Sequence, residues 1–255
     1  LGVWALLDSL EIITLPFPPI ILTGLAMHGP LAAALFLLHR SGGWPGVTTH
    51  LRSGFNFRMR PVWWVIILLL PAALFGLALW LNISLHGFEP DTALLSRPWM
   101  IPVTFVALFF LGGSFQEEFG WRGYALPRLL ERWNPLVASL ILGSVWAVWH
   151  LPLFFMPNLS QSYMPFGVFF LLTIGFSIIF TWTFCRTGRN LFSALLLHTA
   201  INTAASLFPP IEMKAGAAQT GLIYLMAIFL LASTVLIIRE RGFWFKRIGI
   251  ENNPA

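Results

Sequence analysis

Charge is what this chain has least of. Only 10% of its 255 residues are charged, while 57% are hydrophobic and the mean hydropathy is +0.78. Soluble domains carry roughly 25% charge, so this composition reads as an all-α, polytopic membrane helix bundle, one transmembrane domain over residues 1–255. Cysteine is nearly absent: Cys185 stands alone, which excludes an internal disulfide framework and a cysteine-based metal site. Aspartate occurs only as Asp8 and Asp91, both outside the long apolar runs, so a paired-aspartate protease mechanism is excluded. No H-E-x-x-H occurs, against a zinc protease of that kind, and no P-loop occurs, against a nucleotide-driven pump. Internal repeats and low-complexity tracts are also missing. Leu1–Glu11 has no basic n-region and so does not read as a signal peptide; the missing initiator Met leaves room for an upstream helix.

What is present is a series of apolar stretches long enough, or nearly so, to span ~30 Å of hydrocarbon at ~20 residues each. Seven are counted: roughly Ile12–Leu38, Pro61–Leu85, Trp99–Glu117, Pro135–Phe155, Phe166–Cys185, Leu191–Phe208 and Ala217–Ile238. An upstream helix would make eight. Pro71, Pro102 and the Gly29-Pro30 pair are expected to kink their helices. The sixth stretch is short and carries His198, Thr199, Asn202, Thr203 and Ser206, so it should be walled by protein rather than lipid. Threading the seven alternately puts 13 of the 15 basic residues on one side, leaving Arg97 and Lys214 opposite. By the positive-inside rule that side, with the C-terminus, is cytoplasmic. The basic residues are scattered between apolar runs, so a pI near 10.1 signals topology here and not nucleic acid. Trp63, Trp64, Trp80, Trp99 and Trp244 near stretch ends read as interfacial belt anchors.

Against this background a few polar groups stand out. Ionisable side chains at membrane depth cost at least ~2.5 kcal/mol each, yet Glu117 and Glu118 follow the uncharged run Pro98–Phe115. Glu118 and Arg122 are four apart, the favourable orientation for a helical ion pair, and read as a structural clamp. Arg132-Trp133-Asn134-Pro135 reads as a helix turn with Pro opening the next helix. Glu117 lies about 16 residues before that turn and His150 about 16 after it, so an antiparallel hairpin places them at equal depth, ~24 Å from its tip. Glu117 is then free to face His150. His198 and Asn202 are one turn apart on one face. A carboxylate in a partly dry cavity is suited to general-base work, an imidazole to orienting water, and further donors to holding an oxyanion. These are the parts for hydrolysing an amide bond. His28, His39, His50 and His86 receive no role.

The same residues resemble the signature of the CPBP family, the type II CAAX prenyl endopeptidases and their bacterial, Abi-like relatives. The family pattern is E-E-x-x-x-R, F-x-x-x-H and H-x-x-x-N. Here it reads Glu117-Glu118-Phe119-Gly120-Trp121-Arg122, then Trp146-Ala147-Val148-Trp149-His150, then His198-Thr199-Ala200-Ile201-Asn202. Trp146 replaces the phenylalanine, and with Trp121 is expected to form a reshaped pocket wall. The resemblance covers roughly residues 97–208, a CAAX protease-like core. It implies an intramembrane endopeptidase in which Glu117 activates water with His150, while His198 and Asn202 stabilise the oxyanion. It also implies that no cofactor is required, although the residue types leave open a zinc set of Glu117, His150 and His198. The expected partners are the bilayer and a protein or peptide substrate at the membrane, with no nucleic acid; the expected place is a bacterial cell membrane, where a substrate need not be prenylated. Two other functions stay open: a proton-coupled transporter using Glu117 and His150 as a relay, and a non-catalytic scaffold or peptide-immunity protein.

Overall fold

The structure is a computed structural model that describes residues 19–91, 93–157, 159–214 and 216–247, together with 7, 8, 11, 12 and 14. Every regular element among them is helical. In chain order they are α1 (Pro19–Met27), α2 (Gly29–Ser53), α3 (Pro61–His86), α4 (Met100–Leu111), α5 (Ser114–Gly120), a π turn (Trp121–Ala125), α6 (Leu126–Arg132) and α7 (Pro135–Trp149). After 3-10 turns at Leu151–Phe155 and Ser160–Tyr163 come α8 (Phe166–Arg186), α9 (Leu191–Leu207), α10 (Thr220–Arg239) and α11 (Arg241–Trp244).

The boundaries follow local chemistry. Pro61 and Pro135 open α3 and α7, where the missing N–H removes no intrahelical bond. Asn134 caps α7 by accepting from the Val137 N–H at 2.9 Å, so the predicted turn is where the sequence puts it. Asn190 caps α9 through the Phe192 N–H (2.9 Å) and uses its amide N–H groups on the Asn56 and Arg58 carbonyls. That one side chain starts α9 and ties the start to the α2–α3 connection.

Four helices among the described residues are long and apolar enough to cross a bilayer: α3, α7 with its first 3-10 turn, α8 and α10. The bent pair, α4 meeting the Ser114–Arg132 segment at 43°, makes five if it is one span. Four or five of the seven expected stretches thus have the length and composition of a crossing helix among the described residues. The stretch Ile12–Leu38 is interrupted at His28, and α2 continues past Arg40 and Arg52 to Ser53, so polar residues expected in a loop are helical; residues 13 and 15–18 lie outside the described set. The sixth stretch forms α9, which is too short for an unaided crossing. The expected kink sites are met in part. Gly29-Pro30 falls at the interruption, where it opens α2, and Pro102 sits in a first turn, where proline's lack of an N–H does no harm. Pro71 lies inside an unbroken α3, whereas α2 bends at Gly43.

α9 is the central element. It packs against α3, α4, α5 and α8, and nearly all its residues are buried, as its polar content requires. Around it Trp63, Phe75, Trp146, Phe176, Phe180, Leu197 and Phe229 form the main core. Trp63 and Trp244 therefore belong to the interior and not to the interfacial belt: Trp63 is 8% exposed and packs edge-on against Trp182, and the Trp244 indole donates to the Leu236 carbonyl. Trp80 and Trp99 are exposed, as belt residues would be. α2 lies against α5 at very close range. A Cβ on Gly120 would stand 2.4 Å from the Pro30 side chain and 2.5 Å from its carbonyl, so only glycine allows this approach.

Candidate active site

The site is built at the break between α4 and α5. Gly113 takes φ +92°, a left-handed conformation open to glycine, and the chain turns there from α4 into α5. Two side chains tie down the carbonyls left free by the break. Asn202 donates to Gly112 O at 2.8 Å, and Gln116 donates to Phe110 O. α5 then carries Glu117 and Glu118 into the interior, 5% and 0% exposed.

The two carboxylates meet different surroundings. Glu118 Oε1 accepts from Arg122 Nη1 at 2.7 Å and from His198 Nδ1 at 2.8 Å. The expected clamp is thus present, with His198 as a third member. Arg122 is fully buried, and its guanidinium carbon lies 3.9 Å from the Phe180 ring centre and 4.6 Å from that of Trp146. Since a carboxylate only accepts, His198 donates from Nδ1, and its Nε2 points away from Glu118.

Glu117 has one neutral partner: the Trp146 indole N–H donates to its Oε2 at 2.7 Å. Glu117 makes no direct hydrogen bond to His150, the residue it was expected to face across a water. A π turn uses more residues per turn than an α-helix, so the chain from Glu117 to the hairpin tip advances less than a count at ~1.5 Å per residue gives. The carboxylate is met by the side chain of Trp146, which lies one helical turn nearer the tip than His150. His150 sits at the C-terminus of α7, its Nδ1 bonded to the Trp146 carbonyl at 2.9 Å. Nδ1 is therefore the donor, leaving Nε2 to accept. The Trp146 ring centre lies 5.9 Å from that of His150 and 5.7 Å from that of His198, so the indole stands between the imidazoles and carries more than a wall would.

Trp121 faces elsewhere. It lines a cavity of about 630 Å³ between α6 and α7 with Leu129, Leu142 and Val145, and packs edge-on against Trp149. No three His, Cys, Asp or Glu side chains are grouped as a metal-holding set among the described residues; Glu117, His150 and His198 are spread around the Trp146 ring. His50, given no role by the sequence, bonds the Phe119 carbonyl at 3.0 Å where the π turn interrupts the α-helical ladder. Burial lowers its pKa from the usual 6.5, outweighing the hydrogen bond, and nearby Arg128 lowers it further.

The family described as Type II CAAX prenyl endopeptidase Rce1-like matches residues 97–204, the segment from just before α4 to the last turns of α9. CAAX prenyl protease 2 of Methanococcus maripaludis is 30% identical over 196 residues, covering 72% of this chain and 68% of that protein. Lysostaphin resistance protein A of Staphylococcus haemolyticus is 24% identical over 174 residues; the match covers 68% of this chain but only 44% of that longer protein.

Proposed function

The chain belongs to the type II CAAX prenyl endopeptidase family and is a multi-pass membrane peptidase, and from that premise we propose a mechanism for it. Glu117 is the general base. It takes a proton from a water molecule whose oxygen bonds to the substrate carbonyl carbon. The carbon–nitrogen bond then breaks, and the departing amine takes the proton back. Nε2 of His150, left as an acceptor, orients the water. His198, as an imidazolium whose Nε2 also carries a proton, and Asn202 donate to the oxyanion, with Glu118 holding the His198 ring in place. Asn202 has a second amide N–H beyond the one used on Gly112.

The observation that carries this reading is the unequal use of the two carboxylates. Glu118 is bonded to an arginine and a histidine, whereas Glu117 is buried against one neutral indole N–H. A carboxylate neutralised by a guanidinium is a poor base; one whose hydrogen-bond partner is neutral keeps its proton affinity and is available for general-base catalysis. The substrate is a protein or peptide at the membrane, approached from the face bearing the Arg-rich hairpin tip. We place that tip and the C-terminus in the cytoplasm on the basic-residue skew, in a cell membrane.

Purified protein in proteoliposomes, given a quenched-fluorescent farnesylated CAAX peptide and its unprenylated counterpart, tests the mechanism. Cleavage that survives a strong chelator and is lost in Glu117→Gln is expected. Loss with chelator and recovery with added zinc would move the chemistry to a metal held by Glu117, His150 and His198. Equal cleavage of both peptides would show that the prenyl group is not required.

A further inference from the structure

We propose that Trp146 is a positioning residue for the catalytic carboxylate: its indole N–H holds Oε2 of Glu117, keeps the group off Arg122, and leaves Oε1 as the oxygen that meets water. The inference rests on Glu117 being the base. It concerns the position at which this chain departs from the F-x-x-x-H pattern, and a phenylalanine there supplies a ring but no donor.

Three observations support it. The Nε1–Oε2 contact is 2.7 Å between two buried side chains, at the short end for an N–H to a carboxylate. The indole cannot swing away. Arg122 lies over its face at 4.6 Å, while Phe180, His198 and His150 meet it edge-on or tilted at 5.9, 5.7 and 5.9 Å between ring centres. The other oxygen has been given room, since a Cβ on Gly113 would stand 2.6 Å from Oε1 and glycine leaves that space open. The terminal torsion of a glutamate is broad, so without the indole bond neither oxygen is selected. A competing partner is also at hand. Nε and Nη2 of Arg122, whose guanidinium lies over the indole face, make no hydrogen bond among the described residues. A carboxylate released by Trp146 is drawn to them and is lost as a base.

The test joins kinetics with a spectroscopic reading. In the farnesylated-peptide assay, Trp146→Phe is expected to lower kcat about 10- to 100-fold, the range for loss of a hydrogen bond to a charged group, with KM within about twofold, because the proposed role of the N–H is on Glu117 and not on the substrate. Replacing Trp146 with benzothienylalanine, which keeps the shape and deletes the N–H, should reproduce that fall; wild-type kcat in this variant overturns the inference. In protein labelled with 15N-tryptophan, the Trp146 indole signal, identified by its absence in Trp146→Phe, should move upfield in Glu117→Ala. A signal that stays in place overturns the contact itself, whatever the activity. If Glu117→Gln retains full activity, the proposed mechanism and the inference fall together. If Glu117→Gln is dead while both Trp146 variants are unchanged, the inference alone falls.

Discussion

Glu117 and Glu118 are neighbours in the chain and strangers in the fold. Successive residues on a helix point about 100° apart, and here that angle separates two kinds of site. On one side Glu118 bonds both Arg122 and His198, and the arginine packs against aromatic rings. On the other, Glu117 meets a neutral donor and the bare Cα of Gly113. The first arrangement gives rigidity and the second leaves a reactive oxygen. An active site inside a membrane needs both, because a base that is also the structural counter-ion cannot give and take protons without loosening the structure.

The sharpest way to break this contrast is to neutralise each acid separately. Glu117→Gln should lower kcat by on the order of 10²–10⁴-fold with little change in thermal unfolding, measured by cleavage and by detergent-resistant melting. Glu118→Ala strands the buried Arg122 charge and should destabilise the fold by about 3–5 kcal/mol. The double variant Glu118→Leu with Arg122→Leu should recover much of that stability while remaining inactive, since His198 then loses its orienting partner. Equal loss of stability for the two acids would abolish the distinction.

The opposite, α2-facing side of α5 offers a milder probe. Gly120→Ala forces a methyl against Pro30 and should cost about 1–3 kcal/mol through overpacking, seen as a lower melting temperature with residual activity in the surviving fraction. The smallest effect concerns His50. Its folded pKa is below the ordinary 6.5, so between those values the unfolded chain binds more protons than the folded one. Stability from this group is therefore complete above about 6.5 and declines as the pH falls toward the folded value. His50→Gln keeps a donor for the Phe119 carbonyl without a charge to gain, and should flatten the decline in melting temperature on acidification.

How much of this was legible beforehand divides along the same line. The clamp of Glu118 and Arg122, the cap at Asn134 and the protein-walled α9 depend on residues close in sequence, and periodicity exposes them. What escaped notice is tertiary. The π turn at Trp121–Ala125 has no strong sequence signal, yet it shortens the rise that a plain α-helical count assumes, and the Trp146 indole as the partner of Glu117 appears only in the packed structure. The His198–Glu118 bond joins residues 80 positions apart, and only the packing of α9 on α5 creates it. Gly113 was visible as a glycine, but its use, giving room to a carboxylate oxygen, appears only once the break in the span is known. His50 could have been found only by asking which side chain completes an interrupted helix on a neighbouring element.

α9 has one more consequence, for how the protein is made. A helix this short, carrying a histidine, an asparagine and several hydroxyls, gains little by entering lipid alone, since the polar groups that serve it in the finished molecule are liabilities against acyl chains. Its partition into the membrane is favourable only in the company of α3, α4, α5 and α8, which supply the contacts that satisfy it. During biogenesis the strand of sequence bearing His198 and Asn202 must therefore be escorted in by its neighbours, and the catalytic centre can be assembled only after the greasier helices have been threaded.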